Sequence, residues 1–379
     1  MMQSRALVVT PCYPRFPGDF HGGFVRDLCL RLAARGVELE VLAPRSRTIG
    51  AQEAPYRVQR FPYLPLQRFE LLPEATMKGA SLGRLAQLPP YLASALLHIT
   101  GARPSLIHSH IAIPLGFISA LAPVDAPRMV TCHGSDCTLP LDNPAYLPFT
   151  RHALRRADAV VAVSNYVGGL AKRLGARRVE TIYLGVDTRR FRPPPSRRRL
   201  RSRMGLPQNA LVVGTLGRLV AEKSIVDLID AAKIVGGRMD SVFIIGGDGP
   251  DRPRLERYAR GLGNVVFTGA VRDAPTFHAL LDVFALPSSR EGLSLSLQEA
   301  MSAGCVPVAA RGQGSEEVVA DSVNGYLHRP GNNSELAAKI VEASRNLGLG
   351  RKARKTIVEG FDAERGADRY AELYRELTR

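Results

Sequence analysis

The chain of 379 residues has no long hydrophobic run. A helix that crosses a bilayer needs about 20 mostly apolar residues. The most apolar stretch, residues 111–124, is broken by Pro114, Gly116 and Pro123 and reads as a buried helix. Residues 6–10 are too short for a secretory leader and lead straight into prolines, so no signal peptide is expected. Cysteine pairs are missing as well. Cys12, Cys29, Cys132, Cys137 and Cys305 are odd in number and scattered, and no pair is read as having zinc-ligand spacing. That excludes a disulfide scaffold and predicts reduced thiols in a cytoplasmic protein. Acidic residues are scarce, 35 against 51 Lys and Arg, for a formal charge of +16. Such an excess calls for an acidic partner: nucleic acid, an anionic membrane surface, or a phosphorylated substrate. Aromatic residues are not interleaved with the basic ones, and no nucleic-acid module is present, which places nucleic acid last. The glycine-rich segments contain no Gly-Lys-Ser/Thr and lack the dinucleotide spacing, which excludes a P-loop and a simple nicotinamide site.

What is present is a repeated alternation of short apolar runs with helical stretches, in a chain that is 45% hydrophobic and long enough for two domains. Residues 6–10, 38–43, 106–110, 129–136, 157–164 and 179–183 read as strands of the first half, and residues 211–219, 242–250, 265–271, 282–287 and 306–310 as strands of the second. Strands alternating with helices predict α/β units with parallel sheets. Between the halves, residues 189–205 hold three consecutive prolines and a dense run of arginines, which reads as a solvated connector. The expected division is therefore residues 1–188, a linker at 189–205, residues 206–360, and a closing helix at 361–379 with Ala367, Tyr370, Ala371, Tyr374 and Leu377 on one stripe.

Several groups stand where strands end. In open parallel sheets, ligands sit outside the carboxyl ends of the strands. Gly22 and Gly23 lie between a strand and a helix, where glycine lets a backbone approach a ligand closely. His110 and His133 close two strands, and His133 opens a His-Gly-Ser-Asp run; a metal site from His110, His133 and Asp136 rests on residue type alone. Arg218 and Lys223 stand at a strand-to-helix junction, and together they can neutralise a diphosphate. Glu291 and Glu299 are separated by a turn and the opening of an apolar helix, whose first N–H groups suit a phosphate. Ser296 with Glu299 also fits a capping box, in which the glutamate serves only its own helix.

The run from Glu291 to Val308, Glu-Gly-x6-Glu-Ala-Met-x-Ala-Gly-x-x-Pro-Val, resembles the retaining glycosyltransferases of family 4. So do Gly217-Arg218-Leu219 with Lys223, Gly247-Asp248-Gly249-Pro250, the His133 run, and Gly185-Val186-Asp187, in the expected order along nearly the whole chain. The resemblance implies the GT-B fold: two Rossmann-like, doubly wound parallel-sheet domains facing a central cleft that holds a nucleoside diphosphate sugar. It implies that Arg218 and Lys223 hold the diphosphate together with the backbone at Leu293, Ser294 and Leu295. Glu299 holds ribose hydroxyls, Gly22, Gly23 and Gly249 line the donor, Val271 borders the base, and Glu291 and His133 face the sugar. One departure is Ser224, where the family usually has glycine. The segment 312–317 reads mainly as packing, and residues 50–90, which help form the acceptor side in the family, are irregular.

The function expected from the resemblance is transfer of a hexose, with retention, to a hydroxyl of a glycan or lipid-linked acceptor in cell-envelope glycan synthesis. No metal and no other cofactor are expected, because two cationic side chains take the role a divalent ion has in other folds. The basic residues Arg151, Arg155, Arg156, Lys172, Arg173, Arg177 and Arg178 suggest peripheral contact with an anionic membrane at its cytoplasmic face; an acidic polysaccharide acceptor is the alternative. Epimerases, phosphorylases and non-catalytic carbohydrate-binding relatives share the fold and are the rival functions.

Overall fold

Short apolar runs that must be buried on both faces can do so only as strands of a sheet covered by helices on either side. The computed structural model describes residues 5–19, 21–46, 49–50, 53–63, 86–312 and 314–379. In it, β1 (Ala6–Val9), β2 (Leu39–Pro44), β3 (Arg57–Phe61), β4 (Leu106–His110), β5 (Arg128–Cys132), β6 (Ala159–Ala162) and β7 (Val179–Thr181) form one sheet in the order β3-β2-β1-β4-β5-β6-β7. Its strands are all parallel. A second sheet, also all parallel, contains β8 (Leu211–Leu216), β9 (Ser241–Gly246), β10 (Val265–Gly269), β11 (Val283–Leu286), β12 (Val306–Ala310) and β13 (Tyr326–His328) in the order β10-β9-β8-β11-β12-β13.

Each sheet carries its own core. In the first, Val8, Val41, Leu106 and Val161 pack with Val25, Leu28, Cys29 and Leu32 of the Gly23–Ala34 helix. In the second, Val213, Phe243 and Val283 pack with Leu228, Ile229 and Val235 of the Ile225–Gly236 helix and with Leu336 and Ile340 of the Asn333–Arg345 helix. All five cysteines are free thiols, and Cys29, Cys132, Cys137 and Cys305 are buried. Among the described residues, no helix is long and apolar enough to cross a membrane.

The chain divides into two compact units, residues 1–184 with 364–379, and residues 185–363. The expected free linker at 189–205 is corrected by this division. The stretch belongs to the second unit and contains a helix, Arg197–Arg203. Its Arg201 is buried, donates from Nε to the Leu280 carbonyl at 2.8 Å, and pairs with Asp282 at 2.7 Å. Arg197 donates to the Ala303 carbonyl and Phe191 is buried. Composition cannot tell an arginine that caps carbonyls under a sheet from one in water. The closing helix, Ala363–Leu377, lies from Glu364 onward in the first unit, where Ala367, Tyr370, Ala371 and Tyr374 join the core.

One backbone feature explains the departure at residue 224. Ser224 has φ 49° and ψ 40°, a left-handed conformation between the Ala221–Lys223 turn and the helix that follows. A Cβ there costs about 1 kcal/mol, which glycine avoids. Replacing Ser224 with glycine should raise the stability of the second unit by up to about 0.5 kcal/mol after the larger unfolded-state entropy of glycine is counted. A denaturant melt checks this; a lowered midpoint would mean that the serine side chain makes a contact worth more than the strain.

Candidate active site

A sheet that extends on both sides of its first strand has a switch point beside that strand, where successive helices leave to opposite faces and open a crevice at the carboxyl ends. In the second unit that point lies between β8 and β11, which pair at Val213–Val283 and Gly214–Phe284. The loop after β8 carries Arg218 and Lys223, and the loop after β11 carries Glu291. The two loops are tied together: the Ser289 N–H donates to the Glu222 carbonyl at 3.0 Å, and Lys223 Nζ lies 2.5 Å from Glu291 Oε1. Lys223 and Glu291 keep side-chain exposures of only 27% and 12%, so this ion pair is poorly screened. Arg218, two residues past the end of β8, is half-buried.

The following helix, Leu295–Ser302, is capped by Ser294, whose Oγ accepts from the Leu297 N–H at 3.2 Å. This overturns the capping-box alternative. With Ser294 at the cap, Glu299 lies beyond the first turn and its carboxylate is turned to His278, Nε2 to Oε2 3.2 Å. The first-turn N–H groups of such a helix have no intrahelical acceptor, and they stand beside Leu293, Ser294 and Leu295. His278, fully buried on the Ala274–Leu280 helix, was missed in the sequence, where it matches no motif. It fixes one oxygen of the Glu299 carboxylate.

Gly249 and Val271 are placed differently. A Cβ on Gly249 would stand 2.3 Å from the Leu219 carbonyl oxygen, and one on Gly247 would run into the Gly217 carbonyl. The Leu219 N–H donates to the Asp248 carbonyl at 2.9 Å. The glycine-rich loop after β9 is thus pressed backbone to backbone against the loop that carries Arg218. Val271 lies two residues past edge strand β10, on the same edge of the sheet but away from the β8/β11 crevice. Gly314 is also a packing residue, since its Cβ would stand 2.0 Å from the Gly292 carbonyl oxygen.

In the first unit the carboxyl ends of β1, β4 and β5 bring Gly22, Gly23, His110 and His133 to one place. Gly22 has φ 72°, and a Cβ on it would stand 2.3 Å from the Cys12 carbonyl oxygen; a Cβ on Gly23 would meet nothing within 4 Å. The first glycine is required by the chain, and the second leaves open surface. Phe24 packs its ring 4.9 Å from that of His133. His133 Nε2 is 3.0 Å from His110 Nδ1, and the two rings stack. Asp136 acts as a clamp: it accepts from the Ala112, His133 and Gly134 N–H groups, at 3.1, 3.0 and 2.9 Å. Among the described residues, His110, His133 and Asp136 do not form a group whose ligand atoms lie close enough together to hold one metal ion. Cys132 and Cys137, for which no ligand spacing was seen in the sequence, lie with Asp136 so that their ligand atoms are within 4.8 Å of one another; the bonds to backbone N–H already engage that carboxylate.

Behind these groups is a buried polar chain that the sequence did not reveal. His108 Nδ1 meets the Tyr374 hydroxyl at 2.5 Å and Nε2 the Thr131 hydroxyl at 2.8 Å; Thr131 also meets the Tyr370 hydroxyl at 3.2 Å. The closing helix thereby fixes the strand ends that carry His110 and His133. Of the arginines expected to bring in an acceptor, Arg178 is paired with Glu180 and Glu376. Arg155, Arg156 and Arg177 precede β6 and β7, at the edge of the sheet opposite to His133.

Burial moves the histidines. It pushes His108 down to about 3, and lowers His110 and His133, in each case chiefly by desolvation of the charged form. In the unfolded chain a histidine titrates near 6.5. Below that pH the unfolded state takes up protons that the native state refuses, so stability falls as pH drops from about 6.5 toward 3, by up to about 1.4 kcal/mol per pH unit for each such group. Urea melts between pH 7.5 and 5 should show this decline, and the His108→Gln variant should show a slope shallower by about one proton. Equal slopes would mean that His108 titrates normally.

Two parallel-sheet Rossmann-like units, one with a cationic and amide-lined crevice at its switch point, define the GT-B class of glycosyltransferases. Comparisons with known proteins agree. Residues 22–190 match the Glycosyltransferase Family 4 model, and residues 210–346 match that of the group 1 glycosyl transferases. A GDP-mannose-dependent alpha-(1-6)-phosphatidylinositol monomannoside mannosyltransferase of Mycolicibacterium smegmatis is 32% identical over 85% of this chain and 84% of its own. A 2-deoxystreptamine glucosyltransferase of Streptomyces kanamyceticus is 31% identical over 82% and 85%. The crystal structure of Anabaena HepE in complex with UDP and glucose superposes with a TM-score of 0.79 at 23% identity, covering 99% of this chain and all of that one. The chain belongs to the family 4, group 1 glycosyltransferases.

Proposed function

We propose that the enzyme transfers a hexose, with retention of anomeric configuration and without a metal ion, from a nucleoside diphosphate sugar to a hydroxyl of a glycan or lipid-linked acceptor in cell-envelope glycan synthesis, on the cytoplasmic side of the membrane. The observation that carries this reading is the joining of the Lys223 and Glu291 loops at the β8/β11 switch point, next to the opening of the Leu295–Ser302 helix. A diphosphate there meets Arg218, Lys223 and the first-turn N–H groups. These stabilise the charge that develops on the leaving phosphate and make a divalent cation unnecessary. Glu299, oriented by His278, accepts from ribose hydroxyls. Glu291, beside Lys223, stands where the sugar joins the diphosphate.

What surrounds Glu291 bears on the route by which retention is reached. A double displacement needs a carboxylate free to attack the anomeric carbon, whereas Glu291 is held by a lysine at 2.5 Å. Front-face departure, with the leaving phosphate taking the acceptor proton, needs no protein nucleophile. The relatives differ in acceptor and base: one is GDP-mannose-dependent and acts on a phosphatidylinositol mannoside, one glucosylates 2-deoxystreptamine, and HepE was crystallised with UDP. The base is therefore left to a panel.

Melting temperature should be measured with UDP, GDP and ADP and their hexose conjugates, with and without EDTA. One diphosphate should stabilise the protein by mass action, by about 2.7 kcal/mol at a hundredfold excess over Kd, with no change on adding EDTA and no effect in Arg218→Ala. With that donor, NMR of the product should show the donor's anomeric configuration. No shift with any nucleotide would sink the donor site as drawn, an inverted product would sink retention, and turnover dependent on inorganic phosphate would reassign the enzyme as a phosphorylase.

A further inference from the structure

The first unit has a second basic concavity that the transferase reading does not use. It lies at the amino ends of β5, β6 and β7, on the edge of the sheet opposite to His110 and His133, and encloses about 640 Å³. Four arginines line it, Arg128, Arg155, Arg156 and Arg177, against one carboxylate, Asp158. The carboxylate is engaged: Asp158 Oδ2 accepts from the Arg128 N–H at 2.7 Å. The Arg128 guanidinium is engaged too, donating to the carbonyls of Ser119, Ala122, Val124 and Ala126, so it stiffens one wall and adds fixed charge.

The other three differ. Arg155, Arg156 and Arg177 are exposed, and among the described residues none of them has an ion-pair or hydrogen-bond partner. On the inner side is His152, whose Nε2 is buried and also without a hydrogen-bond partner. Its ring is held edge-on against Phe117, with centroids 5.5 Å apart. Other exposed arginines in this chain find a carboxylate, as Arg311 does with Asp321 at 2.9 Å. Three unpartnered guanidinia and a buried imidazole nitrogen around one cavity are the complement of a compact, multiply charged anion, since guanidinium forks match phosphate oxygens in pairs.

We propose that this cavity is a binding site for a phosphate-bearing ligand, separate from the donor site and acting outside the reaction. Arg155, Arg156 and Arg177 clamp the phosphate oxygens, and His152 Nε2 contacts it from the inner wall. The phosphate can belong to a lipid headgroup or to a free di- or polyphosphate. Its position at the amino edge keeps it away from the sugar-facing residues of the first unit, so its occupant anchors or regulates rather than accepts sugar.

The test uses the full chain with Arg218→Ala and Lys223→Ala, which removes the proposed diphosphate cradle and makes the outcome independent of the donor reading. Inorganic pyrophosphate is titrated calorimetrically, and phosphatidylcholine vesicles with and without phosphatidic acid are tested by co-sedimentation. Added substitutions Arg155→Ser, Arg156→Ser and Arg177→Ser are all at exposed positions and should leave the fold intact, verified by an unchanged melt. They should weaken binding at least about tenfold, and the triple lysine variant should recover it only in part, because an ammonium lacks the fork. Pyrophosphate binding alone identifies a free ligand, and binding of phosphatidic acid vesicles identifies a headgroup; either supports the site. No binding of either probe, or binding that survives the serine substitutions, overturns it.

Discussion

Everything functional in this protein depends on strand direction. In both sheets the strands run the same way, so all their carboxyl ends share one edge, and the connections must return over the faces as helices. The first strand of each sheet has neighbours on both sides, and the crossovers diverge there. That geometry brings Arg218, Lys223, Glu291 and the head of the Leu295–Ser302 helix together although they are far apart in sequence. The same rule in the first unit assembles Gly22, Gly23, His110 and His133. It also sends Arg155, Arg156 and Arg177 to the other edge.

Close backbone approach then sets the fine positions. Gly247 and Gly249 exist because the loop after β9 lies against the loop after β8, Gly22 because the helix start lies against Cys12, and Gly314 because its segment lies against Gly292. A glycine in such a site reads easily as a ligand contact. Here Gly23 alone among these has open space where a side chain would be. The charged groups are positioned by neighbours with no motif: His278 holds Glu299, Asp136 clamps the chain at His133, and Tyr370 and Tyr374 of the closing helix reach Thr131 and His108. Those tyrosines secure the strand ends that carry His110 and His133.

Apolar runs and turn residues determined, from the sequence by itself, that this is an α/β protein with parallel sheets, and most strands were legible because burial on both faces leaves no choice of residue. β3 and β13 were not, since an edge strand is short or half-exposed and carries no continuous apolar signal. The charged residues of the candidate site were legible as types at strand ends, and through their resemblance to a family. Tertiary structure alone decided which of them meet. It chose Ser294 over Ser296 as the helix cap, and so directed Glu299 to the buried His278. It turned an arginine-rich stretch that looked like a solvated linker into a packed helix with Arg201 buried on Asp282. It also separated the basic residues of the first half into those held by carboxylates and those left around a cavity. Composition and spacing are properties of the chain, whereas pairing, burial and the edge of a sheet on which a side chain stands exist only once strands from distant segments lie side by side.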